Sequence, residues 1–167
     1  ETLGKAARLG RHSVYNNPKL HANLAKSQSA IGQHNDALKV IAGINKLFNA
    51  AEADFFALNA EAEVKLNQGD QAAADACLNK ASELLQSSRS LTSPEAALEL
   101  ARTSARLGHA DDAKALLDTA IRNNHDNEEF LARTAELYTE SGFSDDAAAM
   151  VKAISQEVVQ MNNQGVR

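Results

Sequence analysis

A five-point pattern recurs four times in this chain and constrains its fold more than anything else in the sequence. A Gly is followed five residues later by Ala, then four residues on by a larger apolar residue, then three residues on by a small or apolar one. Gly32 leads to Ala37, Ile41 and Ile44, and Gly69 leads to Ala74, Leu78 and Ala81. Gly108 leads to Ala113, Leu117 and Ala120, and Gly142 leads to Ala147, Val151 and Ile154. Seven residues before each Gly stands another Ala, at 25, 62, 101 and 135. The glycines lie 37, 39 and 34 residues apart (69−32, 108−69, 142−108). A unit of this length that recurs implies a solenoid of supersecondary units, in which each unit needs its neighbours to cover its apolar face.

The physical reading of one unit is local. The Gly can take the positive φ that ends a helix. A short polar side chain just after it can cap the next helix, which points to Asn35 or Asp36, Asp70, Asp111, and Ser144 or Asp145. The two alanines fall where the paired helices cross most closely, a place that tolerates no bulk. The composition fits helices closed by small side chains, with 44% hydrophobic residues but only 4% aromatics.

In chain order, residues 2–16 read as the second helix of an earlier repeat, with Leu3, Ala6, Ala7 and Val14 on its apolar side. The repeats follow over 18–50, 52–86, 94–123 and 127–160. Their helices are expected at 19–31 and 36–50, 52–67 and 71–86, 94–107 and 111–123, and 127–141 and 145–160. In the first pair Leu38, Ile41, Ile44, Leu47 and Phe48 are expected to face the core. Residues 86–93 form the longest connection, and Ser93-Pro94 fits an N-cap followed by Pro at the first helical position. Residues 161–167 read as the start of a further first helix, so both ends look cut within the array of a longer protein. Residues 1–167 are read as a single domain. No polar cap is apparent at either end, and a homodimer through the uncapped ends is expected.

A helix–turn–helix repeat with small residues at its eighth, twentieth and twenty-seventh positions and Gly at its fifteenth is similar to the tetratricopeptide repeat. In the last copy these positions hold Ala135, Ala147, Ile154 and Gly142, with Tyr138 at the eleventh. The resemblance implies an all-α, right-handed superhelical solenoid of antiparallel helix pairs, with about nine helices. It also implies an interaction scaffold whose first helices line a concave groove. By register the groove residues are Lys19, Asn23 and Lys26, then Asn59, Glu63 and Asn67, then Glu99, Arg102 and Arg106, then Arg133, Glu136 and Glu140. Lys26, Asn23, Asn59, Arg102 and Arg106 partly match the set by which some members hold a peptide's terminal carboxylate. Glu63 and Glu99 oppose an anion there, so a mixed-charge groove for an extended peptide or a partner helix is the expectation.

Chemistry other than binding finds little purchase in the sequence. The five histidines, at 12, 21, 34, 109 and 125, share no metal-ligand spacing with each other or with Cys77, and His34 and His109 read as exposed turn residues. Cys77 reads as a small, semi-buried residue without a cation cluster to activate it. Asp111-Asp112 and Asp145-Asp146 sit at helix starts, where carboxylates favour the helix dipole. No phosphate loop, nucleophile elbow or Ser/His/Asp grouping is present. No enzyme activity, cofactor or metal is expected. A net charge of −5 and a sequence pI of about 5.5 argue against nucleic acid as partner. No apolar run approaches a membrane span. The expected partner is a protein or peptide.

Residues 158–166, Val-Val-Gln-Met-Asn-Asn-Gln-Gly-Val, resemble the repeat region that follows the receiver domain in some two-component response regulators. That resemblance implies a bacterial signalling module in the cytoplasm. The alternative is a repeat scaffold or chaperone of an envelope export, polysaccharide or pilus system. An RNA-binding helical repeat is disfavoured by the acidic balance.

Overall fold

Four turns with one hydrogen-bond pattern organise the chain. The computed structural model describes residues 17–48, 50–88, 91, 93–124 and 127–152. Among them all regular structure is helical and no strand occurs. The helices are α1 (Pro18–Ala30), α2 (His34–Leu47), α3 (Ala51–Asn67), α4 (Gln71–Ser87), α5 (Pro94–Arg106), α6 (Ala110–Asn123) and α7 (Glu128–Glu140). Residues 144–152 are helical too and are called α8. The expected helix limits for α1 to α7 fall within three residues of these ends. The half repeat expected over 2–16, the end of the fourth repeat and the start of a fifth at 161–167 lie outside the described residues.

Gly69 shows how each turn works. Its φ is +81°, its N–H donates to the Leu66 carbonyl at 2.9 Å, and the Asp70 N–H donates to the Lys65 carbonyl at 3.0 Å. This pair of bonds satisfies the orphan carbonyls at the end of α3 and requires the left-handed backbone that Gly takes without a Cβ penalty. Gly32, Gly108 and Gly142 have φ of +82°, +91° and +89° and repeat both bonds. The next helix starts two residues after the glycine, and the residue between is its N-cap. The Ala74 N–H donates to the Asp70 carbonyl at 3.0 Å, as Ala37 does to Gln33, Ala113 to His109 and Ala147 to Phe143.

The N-cap positions are therefore Gln33, Asp70 and His109, which corrects most of the expected caps. Asp70 does cap, accepting from the Ala73 N–H at 3.1 Å. Asn35, Asp36 and Asp111 instead lie within the first helical turn, and Ser144 and Asp145 open α8. The turn bonds set the start of the helix, and the acids then favour the positive end of its dipole. Three first helices begin with a side-chain cap: Asn17 on Lys19 N–H, Ser93 on Ala96 N–H, and Asn127 on Phe130 N–H, at 2.9, 3.3 and 3.0 Å. Pro94 follows Ser93 at the first helical position, as expected.

By its contacts the chain forms two compact units, one ending at Leu91 and the other beginning at Thr92. In the first, α3 packs against α1, α2 and α4. It is buried on more than one side, through Phe55, Phe56, Ala60, Ala62 and Val64. In the second, α7 packs against both α5 and α6. The core there joins Leu98, Ala101, Ala113, Leu117 and Ala120 to Phe130, Leu131, Leu137, Tyr138 and Ala147. Each unit thus sets the first helix of a later repeat on the pair before it, an arrangement consistent with helical repeats. The matched alanines are all buried. Ile41 and Ile44 are buried as expected, Leu38 and Phe48 partly so. Leu47 is 66% exposed, contrary to expectation, because Ala37, Ile41, Ile44 and Phe48 define a face that it flanks.

Substitutions at two positions separate the turn from the crossing. A Cβ added at Gly69 meets nothing within 4 Å, so Gly69→Ala is expected to lower unfolding free energy by about 1–2 kcal/mol through backbone strain alone, and Gly69→Asn by less. Ala62→Leu overpacks the crossing and is expected to lower it by about 1–3 kcal/mol. Denaturant melts of the three variants read both effects; an unchanged Gly69→Ala midpoint would contradict the turn assignment.

Candidate functional site

The groove candidates sort into rows by the helix that carries them. On α1, Asn23 is exposed, Lys19 is half-buried and the Lys26 side chain is 13% exposed. On α3, Asn59 and Glu63 are buried, because three helices pack around α3, while Asn67 is exposed. On α5, Glu99 is buried, Arg102 is half-buried and Arg106 is exposed. On α7, Arg133 is half-buried, and Glu136 and Glu140 are exposed.

Several candidates bond across neighbouring first helices, about one repeat apart. In the first unit Lys26 Nζ meets Glu63 Oε1 at 2.9 Å (63−26 is 37). Asn67 Nδ2 donates to Ser29 Oγ at 3.0 Å, and Ser29 Oγ lies 3.0 Å from His34 Nδ1. His34 is therefore half-buried and hydrogen-bonded, a correction to its reading as an exposed turn residue, and His109 is half-buried as well. In the second unit Arg133 forms a two-pronged pair with Glu95, both bonds 2.7 Å. Arg102 lies 3.6 Å from Glu99 and 3.8 Å from Glu140. Opposite charges one repeat apart, at 26/63, 95/133 and 102/140, are the sequence signal for this network.

Exposed pairs of this kind contribute about 0–1 kcal/mol each, since water screens them. Lys26–Glu63 differs because both side chains are largely removed from solvent, so loss of one partner takes a counter-ion from a buried charge.

A second cluster has no counterpart among the expected sites. The Tyr138 hydroxyl donates to Asp118 Oδ1. Lys114 Nζ lies 3.1 Å from Asp146 and 3.6 Å from Asp118, and sits over the Tyr138 and Phe143 rings at 5.1 and 5.6 Å from their centroids. Burial, then the Asp118 bond, pushes the Tyr138 phenol above its usual range. The bond to Asp146 raises Lys114. Side chains from α6, α7 and α8 thus hold a protonated phenol as a hydrogen-bond donor. Its chemistry is that of a brace. Tyr138 stands out in the sequence only as the eleventh position of its repeat, and its partners come from two other helices.

Cys77 is half-buried. Burial first, then the Glu61 charge, pushes its thiol up, away from the reactive thiolate. Among the described residues no three His, Cys, Asp or Glu side chains are grouped to hold a metal ion. No helix of the described residues is long and apolar enough to cross a membrane. Compared with known proteins, no family model matches the chain and no curated protein matches it.

Lys26→Met is expected to cost about 3 kcal/mol by leaving Glu63 charged and buried, and Lys26→Met/Glu63→Leu to recover most of it; urea melts compare the two. The phenol gives a pH test. Its folded pKa lies above the ordinary value of 10.0, so the stability it brings is present below pH 10 and lost as pH rises through the folded value. In a Tyr15→Phe background, absorbance at 295 nm should show no tyrosinate step near pH 10 while helical circular dichroism persists. A step there with the helix intact would contradict the brace.

Proposed function

We propose that the chain is a non-catalytic interaction scaffold of the tetratricopeptide kind. Its repeats belong to a right-handed superhelical array, and the first-helix face of each unit takes up an extended peptide or a partner helix. The observation that carries this reading is the row of opposite charges set one repeat apart along successive first helices, with Asn23, Asn67, Arg106, Glu136 and Glu140 on its exposed side. Asn amides both donate and accept, so Asn23 and Asn67 can meet a peptide backbone. Arg102 and Arg106 suit acidic side chains, and Glu136 and Glu140 suit basic ones. Screened surface pairs such as Arg102–Glu140 exchange for a ligand's charges at small cost.

The resemblance of residues 158–166 to response-regulator repeat regions supports a bacterial signalling protein as the host, and the cytoplasm as its place. That segment lies outside the described residues.

Peptides selected from a random display library on the wild-type chain test the face directly. Arg102→Glu/Arg106→Glu is expected to weaken the selected peptides at least about tenfold, about 1.4 kcal/mol, with helicity unchanged and a lowered melting point, since Arg102 also lies 3.6 Å from the buried Glu99. Asn23→Ala, at an exposed position, is expected to weaken them less. Peptides that bind all three proteins equally would overturn the assignment of the face.

A further inference from the structure

The repeat register exposes one groove that its sister copies keep covered. Val151 stands nine residues after Gly142, where Ile41, Leu78 and Leu117 stand after their own glycines. Those three are 5%, 6% and 0% exposed, and Val151 is 52%. Ala132, ten before Gly142, is exposed, whereas Ala22, Asn59 and Leu98 at the same offset are buried. With Ala135, Glu136 and Ala148 these residues line an open groove between α7 and α8. In the first unit the first helix α3 packs on the pair α1 and α2, and in the second α7 packs on α5 and α6. The α7/α8 groove is the next such seat.

α1 shows the complementary face. Leu20, twelve residues before Gly32, is 45% exposed, while its counterparts Ala57, Ala96 and Phe130 are 2%, 1% and 4% exposed. Leu24 is 37% exposed; of its counterparts, Leu100 and Thr134 are buried and Glu61 is half-buried. Charge matches as well. α7 carries Glu128, Glu129, Glu136 and Glu140 against Arg133, and α1 carries Lys19 and Lys26 with no acid. Lys26 and Glu136 each stand six residues before their glycine, as Glu63 does, and Lys19 and Glu129 each stand thirteen before.

We propose that the α7/α8 groove of one molecule takes α1 of a second copy, continuing the helix stack head to tail. Lys26 of the second copy then lies one repeat on from Glu136, the relation in which it already meets Glu63 at 2.9 Å. A row Glu136–Lys26–Glu63 runs across the junction, and Glu129 faces Lys19. Leu20 and Leu24 cover Val151 and Ala132. The inference does not depend on the proposed function, because it rests on the uncovered apolar residues of α1, α7 and α8; Glu136 belongs to both surfaces.

The test uses two variants of the full chain, one blocked in the groove (Glu136→Lys/Val151→Arg) and one in the stripe (Leu20→Glu/Leu24→Glu). All four positions are exposed, and circular dichroism checks that both fold. By sedimentation velocity the wild type is expected to associate at about 100 µM and about tenfold more weakly at high salt. Each variant alone is expected to be monomeric, and the equimolar mixture to give a one-to-one dimer, since it keeps one intact groove and one intact stripe. If a blocked variant unfolds, Val151→Cys and Leu20→Cys copies, both in a Cys77→Ser background, probe the same junction through a disulfide between the two. A monomeric wild type, self-association of either variant, or a mixture that fails to pair or cross-link overturns the proposal.

Discussion

The constraint on which the rest depends is the burial of two alanines, one on each side of a glycine turn, in helices that pack together. Ala25 and Ala37, Ala62 and Ala74, and Ala101 and Ala113 are buried, each pair on two helices that pack together. The turn that brings each pair together is the same set of backbone bonds about a Gly at positive φ. Small side chains let the helices close, and that closure leaves the apolar positions nine residues after the glycine facing the next helix. In the first unit α3 takes that place, and in the second α7 does. The geometry is local in origin, yet its consequence is not: a pair closed in this way always presents a face that another helix must cover.

Electrostatics follows the same spacing. Because residues about one repeat apart sit on neighbouring first helices, a charge on one row meets the next row 37 or 38 residues later, as Lys26 meets Glu63 and Glu95 meets Arg133. The second unit adds a brace of its own, where Lys114 binds two carboxylates and lies over two rings that belong to α7 and the turn beyond it. These contacts do not build the fold. They bias which helices lie side by side, and they leave a polar row along the first helices of each unit.

Much of this is legible in the sequence because the repeat signal is local. The four glycines, the alanines on either side and the helix limits all follow from spacing within about twenty residues. Cap positions are harder. Asp36 and Asp111 look like caps, but the turn bonds start the helices at His34 and Ala110. Asn59 and Glu63 look like surface residues by polarity alone. They are buried because α3 has three helical neighbours, a fact of packing that no local pattern encodes. His34 looks exposed for a similar reason, since its partner Ser29 lies across the turn and is itself tied to Asn67 of another repeat. Leu47 looks buried only when apolar residues are counted without following the face on which they fall.

The most direct measurement of the central contact is methyl NOE spectroscopy on alanine-labelled protein. Cross-peaks are expected between Ala25 and Ala37, Ala62 and Ala74, and Ala101 and Ala113, with the same pattern in each repeat. Assigned alanine spectra that lack these cross-peaks while the chain stays helical would contradict the account, because the paired helices would then close on some other seam.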